Sequence, residues 1–301
     1  SIVNLYTKGD FKEALTILKP LINEYPNNAL LYNVSGACLN EISETESAII
    51  NFKKAITIDS DYSEAYYNLG VVYQKISQNN QALECYQKAI SFQHAYPAAH
   101  NNSGIIYLEN EEISSAIKSF EWATAYSPNY SQAYNNLGSA LQRINQFEKA
   151  KTEFEKAVSL DPNYAQAYEN LGIVSEIINL PNESINSFEN ALRINPHLTN
   201  CYRNLSKLKT FKEKDPQIAQ MQSLHSKSDL KILDKINLSF ALAKVYEDLN
   251  DQDNFFKFLN EGNELRKQAL NYQIDQSQNF HSAILNLFKS PQPVINTSID
   301  K

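Results

Sequence analysis

Residues 131–164 read SQAYNNLGSALQRINQFEKAKTEFEKAVSLDPNY, and the phase of this stretch recurs along most of the chain. Of the 301 residues only seven are glycine. Five of these, Gly36, Gly70, Gly104, Gly138 and Gly172, stand 34 residues apart. Four residues before each glycine come Tyr32, Tyr66, His100, Tyr134 and Tyr168. Twelve after it come Ala48, Ala82, Ala116, Ala150 and Ser184. Sixteen after it come Phe52, Tyr86, Phe120, Phe154 and Phe188, and nineteen after it Ala55, Ala89, Ala123, Ala157 and Ala191. Pro128, Pro162 and Pro196 close three of the units. Self-similarity at such a period marks an array of small stacked units. A glycine inside a helix costs about 1 kcal/mol relative to alanine, so repeating it five times needs a packing reason. Small residues at the glycine and alanine places let paired helices approach closely, and the aromatic rings fill the space between them. No single hairpin buries its apolar face alone, so neighbours must stack.

The pattern resembles the tetratricopeptide repeat, in which an aromatic residue, Leu-Gly, alanine, a second aromatic residue and proline recur over one unit. Tyr134, Leu137, Gly138, Ala150, Phe154, Ala157 and Pro162 carry the likeness best. Ser35 and Ser103 replace the leucine in two units, and Ser60 and His94 replace the proline. The resemblance implies an all-α fold, a right-handed superhelix of about seven to eight helical hairpins with a C-terminal helical cap. The expected array covers 1–198, with units near 29–62, 63–96, 97–130, 131–164 and 165–198. Its first unit is truncated, with Ala14 and Pro26 on the pattern and Ile2 at the glycine place. Residues 199–289 read as degenerate hairpins and a capping helix. Tyr202, Leu205 and Ser206 fit a first helix, and its partner should start near Asp215-Pro216, because proline suits a helix start. The register then slips by three residues. Leu238–Leu249 and Asn254–Arg266 form one more pair, with Gly262 where an alanine would sit. A last helix is expected over 275–288, and 290–301, with Pro291 and Pro293, reads as a linker or tail.

Composition narrows the function. Hydrophobic residues make up 43% and charged residues 20%, enough for a sizeable core and against wholesale disorder. No run of about 18 apolar residues occurs, so no membrane insertion is expected. Cys38, Cys85 and Cys201 are odd in number and far apart, which excludes a disulfide scaffold and a paired-cysteine zinc site. The pI near 5.4 argues against nucleic acid as a partner. Residues 1–198 carry 13 basic and 22 acidic side chains, and 199–301 carry 14 and 12. An acidic array favours neutral or basic partner segments. The cluster Arg203, Lys207, Lys209, Lys212 and Lys214 is diluted by Glu213 and Asp215 and reads as a solvated face. The chain begins at Ser1 rather than methionine, so a trimmed upstream segment is expected, and the compartment is expected to be cytoplasmic. His94, His100, His197, His225 and His281 are scattered, and no glycine-rich phosphate loop or nucleophile motif occurs. No catalytic residue, cofactor or metal site is expected.

Helical geometry then places a face. At 100° per residue, the position two before each glycine lies about 160° from it, away from the partner helix. That position reads Val34, Asn68, Asn102, Asn136, Asn170 and Asn204. Val71, Ile105, Ile173, Lys75 and Arg143 share the face. Asparagine is poor inside helices, yet its amide offers both donors and an acceptor. The resemblance implies that this face lines a concave groove, and that the five asparagines grip the backbone of an extended protein or peptide segment. Asparagine ladders are a feature of the protein glycosyltransferases with these repeats. Three other readings stay open: asparagine is abundant (35 of 301 residues), the amides could bond within or between helices, or they could be solvated. A two-carboxylate clamp, the other mode of the family, finds only Lys75, Arg143, Arg203 and Lys207 on or near the face and no cluster in consecutive units.

The stretch from Leu238 to Asp251, followed by Gly262-Asn263 and Leu265-Arg266, is similar to the end of the repeat region in bacterial sulfotransferases with these repeats. This likeness implies a substrate-recruiting, non-catalytic part of a larger enzyme, because Lys301 comes before any donor-binding loop. A third reading is self-association into a homo-oligomer through the truncated first unit or the C-terminal helices.

Overall fold

The structure is a computed structural model and describes residues 2–270. Among the described residues there are sixteen helices and no strand. The helix expected over 275–288 and the tail over 290–301 lie outside the described residues. The chain divides into two compact bodies, Ser1–Ser184 and Ile185–Lys301. Helix α12 (Pro181–Ile194) spans that division.

In the first body, α1 (Ile2–Lys8) precedes a regular alternation. The first helices of the hairpins are α3 (Ala29–Glu41), α5 (Ser63–Lys75), α7 (Pro97–Glu109), α9 (Ser131–Arg143) and α11 (Ala165–Ile177). The second helices are α2 (Phe11–Glu24), α4 (Thr45–Ile58), α6 (Asn79–Phe92), α8 (Ile113–Tyr126) and α10 (Phe147–Leu160). What stops each first helix is a single residue in the left-handed region: Ser43, Ser77, Glu111, Asn145 and Asn179, with φ between 59° and 63°. The next N–H then turns back to the carbonyl five residues earlier, as from Glu112 to Tyr107 at 2.8 Å and from Leu180 to Ser175 at 2.8 Å. These six-to-one bonds satisfy carbonyls that a helix end would otherwise leave unpaired.

The glycines earn their place by contact. A Cβ added at Gly36 would lie 2.8 Å from the Phe52 ring, and one at Gly70 2.6 Å from the Tyr86 ring. At Gly104 and Gly138 the rings of Phe120 and Phe154 would stand at 2.6 and 2.7 Å. The aromatic residue sixteen positions on is the knob, and the glycine is its hole. All four rings are buried, and so are the alanines twelve and nineteen positions on. Consecutive first helices also touch directly (α3 with α5, α7 with α9, α9 with α11), while consecutive second helices stay farther apart. The first helices therefore line the inner side of the curve in this body.

The second body holds the rest of α12, then α13 (Thr199–Leu208), α14 (Pro216–His225), α15 (Ile232–Asp248) and α16 (Gln252–Ala269). Its last hairpin uses the knob and hole in reverse. The 34-residue phase from Gly172 through Ser206 arrives at Phe240, an aromatic residue on the first helix. The glycine, Gly262, sits on the second helix, where an added Cβ would meet the Phe240 ring at 3.2 Å. The Arg203 guanidinium lies 5.1 Å from the centre of the same ring.

His225 ties α14 to the last hairpin. Its Nε2 is 2.9 Å from Glu261 Oε2 and 3.1 Å from Ser239 Oγ. Burial holds the imidazole below its ordinary pKa. Glu261 opposes that shift, and Lys235 and Lys257 add to it. A folded-state pKa below the unfolded value, about 6.5, means that the unfolded chain binds the proton more readily, so stability is lost as pH falls below that value. The urea midpoint of the second body should therefore drop as the solution is acidified from about pH 7.5 to about pH 5, and His225→Gln should flatten the drop. An equal drop in the variant would remove His225 from this account.

Candidate functional site

Asn68, Asn102, Asn136 and Asn170 stand half-buried on α5, α7, α9 and α11 of the first body. Each reaches back to the preceding first helix. Nδ2 of Asn68 donates to Asn33 Oδ1 at 3.0 Å, that of Asn136 to Asn101 Oδ1 at 2.9 Å, and that of Asn170 to Asn135 Oδ1 at 2.9 Å. The partner is 35 residues earlier each time, one repeat plus one residue. Asn102 finds a tyrosine at that offset. Its Nδ2 lies 3.5 Å from the Tyr67 hydroxyl and 3.3 Å from that of Tyr86. Asn204 belongs to the second body, where its Oδ1 accepts from Lys207 Nζ at 2.9 Å.

The column that receives these bonds, three residues before each glycine, escaped sequence reasoning. It reads Asn33, Tyr67, Asn101, Asn135 and Glu169, and all but the half-buried Tyr67 are buried. Its signal was present in the doubled pairs Asn101-Asn102 and Asn135-Asn136. A buried amide must find a partner, and neighbouring first helices are close enough to supply one. Bonding between helices is thus what the structure shows for one hydrogen of each of these amides. Two acceptor oxygens are left over. Among the described residues no donor reaches Oδ1 of Asn68 or Asn136.

The other residues expected on this face are more constrained. Val71 and Ile105 are half-buried and pack on the core, and Ile173 is half-buried too. Lys75 Nζ donates to the Asn40 carbonyl at 3.3 Å and to its Oδ1 at 3.4 Å. Arg143 Nη1 donates to the Leu108 carbonyl at 3.1 Å. Both cations sit at the C-terminus of the preceding first helix, where the dipole and the orphan carbonyls favour positive charge. Tyr62, Tyr96, Tyr130 and Tyr164 stand where one unit joins the next, and burial raises all four hydroxyl pKa values. Tyr62 accepts from Asn33 Nδ2 at 3.2 Å, which ties this column to the asparagines.

One cluster has the composition of a nucleophilic triad: Ser239, His225 and Glu261. Its geometry differs, because hydroxyl and carboxylate meet the same ring nitrogen, whereas a triad uses one nitrogen for each. Ser239 is also fully buried. Among the described residues no three His, Cys, Asp or Glu side chains gather to hold a metal ion. Cys38, Cys85 and Cys201 are buried, and burial pushes the Cys85 thiol up to about 11, away from thiolate reactivity. No helix among the described residues is long and apolar enough to cross a membrane.

Four segments of the chain match models of the tetratricopeptide repeat: 39–77, 63–96, 101–143 and 131–164. No curated protein matches the chain. Solved structures do. YrrB, a TPR protein with an unusual peptide-binding site, is 22% identical over 60% of this chain and 93% of its own, with a TM-score of 0.52. The MamA protein is 26% identical over 56% of this chain and 92% of its own, with a TM-score of 0.51. PilF of Pseudomonas aeruginosa is 20% identical over 69% of this chain and 94% of its own, with a TM-score of 0.61. These likenesses are to the repeat fold, and none of the matched models or structures named here concerns a sulfotransferase. The chain carries tetratricopeptide repeats in an all-helical array.

Proposed function

With a tetratricopeptide-repeat array as the framework, we propose that this protein is a binding scaffold that holds an extended protein or peptide segment against the inner face of its first helices. The observation that carries the reading is the row of half-buried asparagines, Asn68, Asn102, Asn136 and Asn170, on four adjacent first helices. Their bonds to Asn33, Tyr67, Asn101 and Asn135 hold the amide planes in place before a ligand arrives, and that lowers the ordering cost of binding. Asn204, in the second body, holds the same place in the sequence pattern on its own helix α13. Val71, Ile105 and Ile173 supply apolar contact between rungs. Groups that repeat along a groove suit the backbone of an extended chain, which repeats as well.

The test is a triple variant, Asn68→Ala, Asn102→Ala and Asn136→Ala, measured against a peptide selected from a displayed random library on the wild-type protein. Affinity should fall at least tenfold, about 1.4 kcal/mol. A change within twofold removes the ladder from the binding account. A thermal melt of the same variant separates lost binding from lost folding, because Asn33 and Asn101 lose a hydrogen-bond partner in it.

A further inference from the structure

The asparagine rungs are not equivalent, and the difference recurs every second unit. Asn68 and Asn136 each head a chain of donors that runs away from them. From Asn68 it passes to Asn33 at 3.0 Å, from Asn33 to the Tyr62 hydroxyl at 3.2 Å, and from that hydroxyl to Glu64 at 3.4 Å. From Asn136 it passes to Asn101 at 2.9 Å, to Asn102 at 3.2 Å, to the Tyr86 hydroxyl at 3.3 Å and to Gln74 at 2.7 Å. The oxygens of Asn102 and Asn170 are taken, by Asn101 and by Gln166 at 3.4 Å. Those of Asn68 and Asn136 have no donor among the described residues, and an amide that donates becomes a better acceptor.

The same two units carry Lys75 and Arg143, each of which donates to a main-chain carbonyl of the unit before. Those preceding units place Glu41 and Glu109 at the matching position of the face, both exposed. On this face one N–H of Asn68 and of Asn136 is used inside the protein, while the oxygen of each stays without a donor among the described residues, and the negative side chains set the sign of what it attracts.

The charge follows the same division. In the first body the second helices α2, α4, α6, α8 and α10 carry nine basic and eight acidic residues. The first helices α3, α5, α7, α9 and α11 carry two basic and five acidic ones. The connections between helices up to α11 add seven acidic residues and no basic one. The net negative charge of this body thus sits on its turns and first helices, and a concave layer that is net negative, even with Lys75 and Arg143 in it, focuses a field that favours cations.

Resting on the groove reading above, we infer that the segment it holds is cationic and donor-rich: an extended stretch whose Lys or Arg side chains meet Glu41 and Glu109 while its backbone N–H groups meet Oδ1 of Asn68 and Asn136. The test uses three fluorescein-labelled peptides on one glycine-serine background, with every third residue lysine, glutamine or glutamate. By fluorescence anisotropy the lysine peptide should bind at least about tenfold tighter than the glutamate peptide, with the glutamine peptide between them. Added salt should narrow the gap. Glu41→Gln with Glu109→Gln should bring the lysine peptide to within about twofold of the glutamine peptide and leave the latter unchanged. Glu84→Gln with Glu148→Gln, on second helices, should leave the preference intact. If all three peptides bind alike and Asn68→Ala with Asn136→Ala weakens all of them, the groove stands and the cationic ligand is overturned. Loss of preference in the Glu84 and Glu148 variant also overturns it, because diffuse attraction would then suffice. If no peptide binds, both the inference and the groove reading fall.

Discussion

Phe154→Ala is expected to destabilise the first body by about 3–5 kcal/mol, the cost of emptying a fully buried aromatic site. The ring is fully buried between α9 and α10 and lies against the bare Cα of Gly138. Nothing nearby can move into the space, since Ala150 and Ala157 are themselves buried and short. In a linear array each unit leans only on its neighbours, so the loss appears first as opening of the units next to α10. The chain has one tryptophan, Trp122 on α8, stacked on Tyr126 with ring centres 5.5 Å apart. Its fluorescence in a urea titration reports this body. A loss under about 1 kcal/mol would show that the ring is not the knob that holds the hairpin.

Gly138→Ala is the complementary prediction, and its sign is the informative part. Helix propensity alone would make alanine better by about 1 kcal/mol. The new methyl would sit 2.7 Å from the Phe154 ring, and that ring has no room to retreat. Overpacking of this kind costs about 1–3 kcal/mol, so the net change should be a loss. In a Phe154→Ala background the clash is gone and the same substitution should become neutral or stabilising. A coupling of about 1–3 kcal/mol between the two sites follows from the double-mutant cycle, and simple additivity would refute the knob-and-hole account.

Most of the first body was legible before any coordinates. The glycine period, the aromatic residue sixteen positions on and the two alanines each mark one side of one hairpin, and a hairpin is a local object. The face carrying Asn68, Asn102, Asn136 and Asn170 followed from the helical turn alone. The last hairpin was harder to read. The glycine phase falls on Phe240 and so reads as a slip, whereas packing needs only one large and one absent side chain across the interface, whichever helix provides which. Gly262 under the Phe240 ring satisfies that need from the other side.

The linear chain thus specified the repeat length, the helix pairs and which residues share a face, because all of these depend on spacing within about one unit. The bond partners of those residues were settled by packing. Asn68 reaches Asn33, and Lys75 reaches Asn40, across an offset of 35 rather than 34 residues. The extra residue arises because donor and acceptor stand at neighbouring places of the repeat: Asn68 two before its glycine and Asn33 three before, Lys75 five after and Asn40 four after. This pairing engages one N–H of each amide inside the protein and leaves the oxygens of Asn68 and Asn136 without a donor among the described residues, a difference that periodicity cannot express because all the asparagines look the same in sequence.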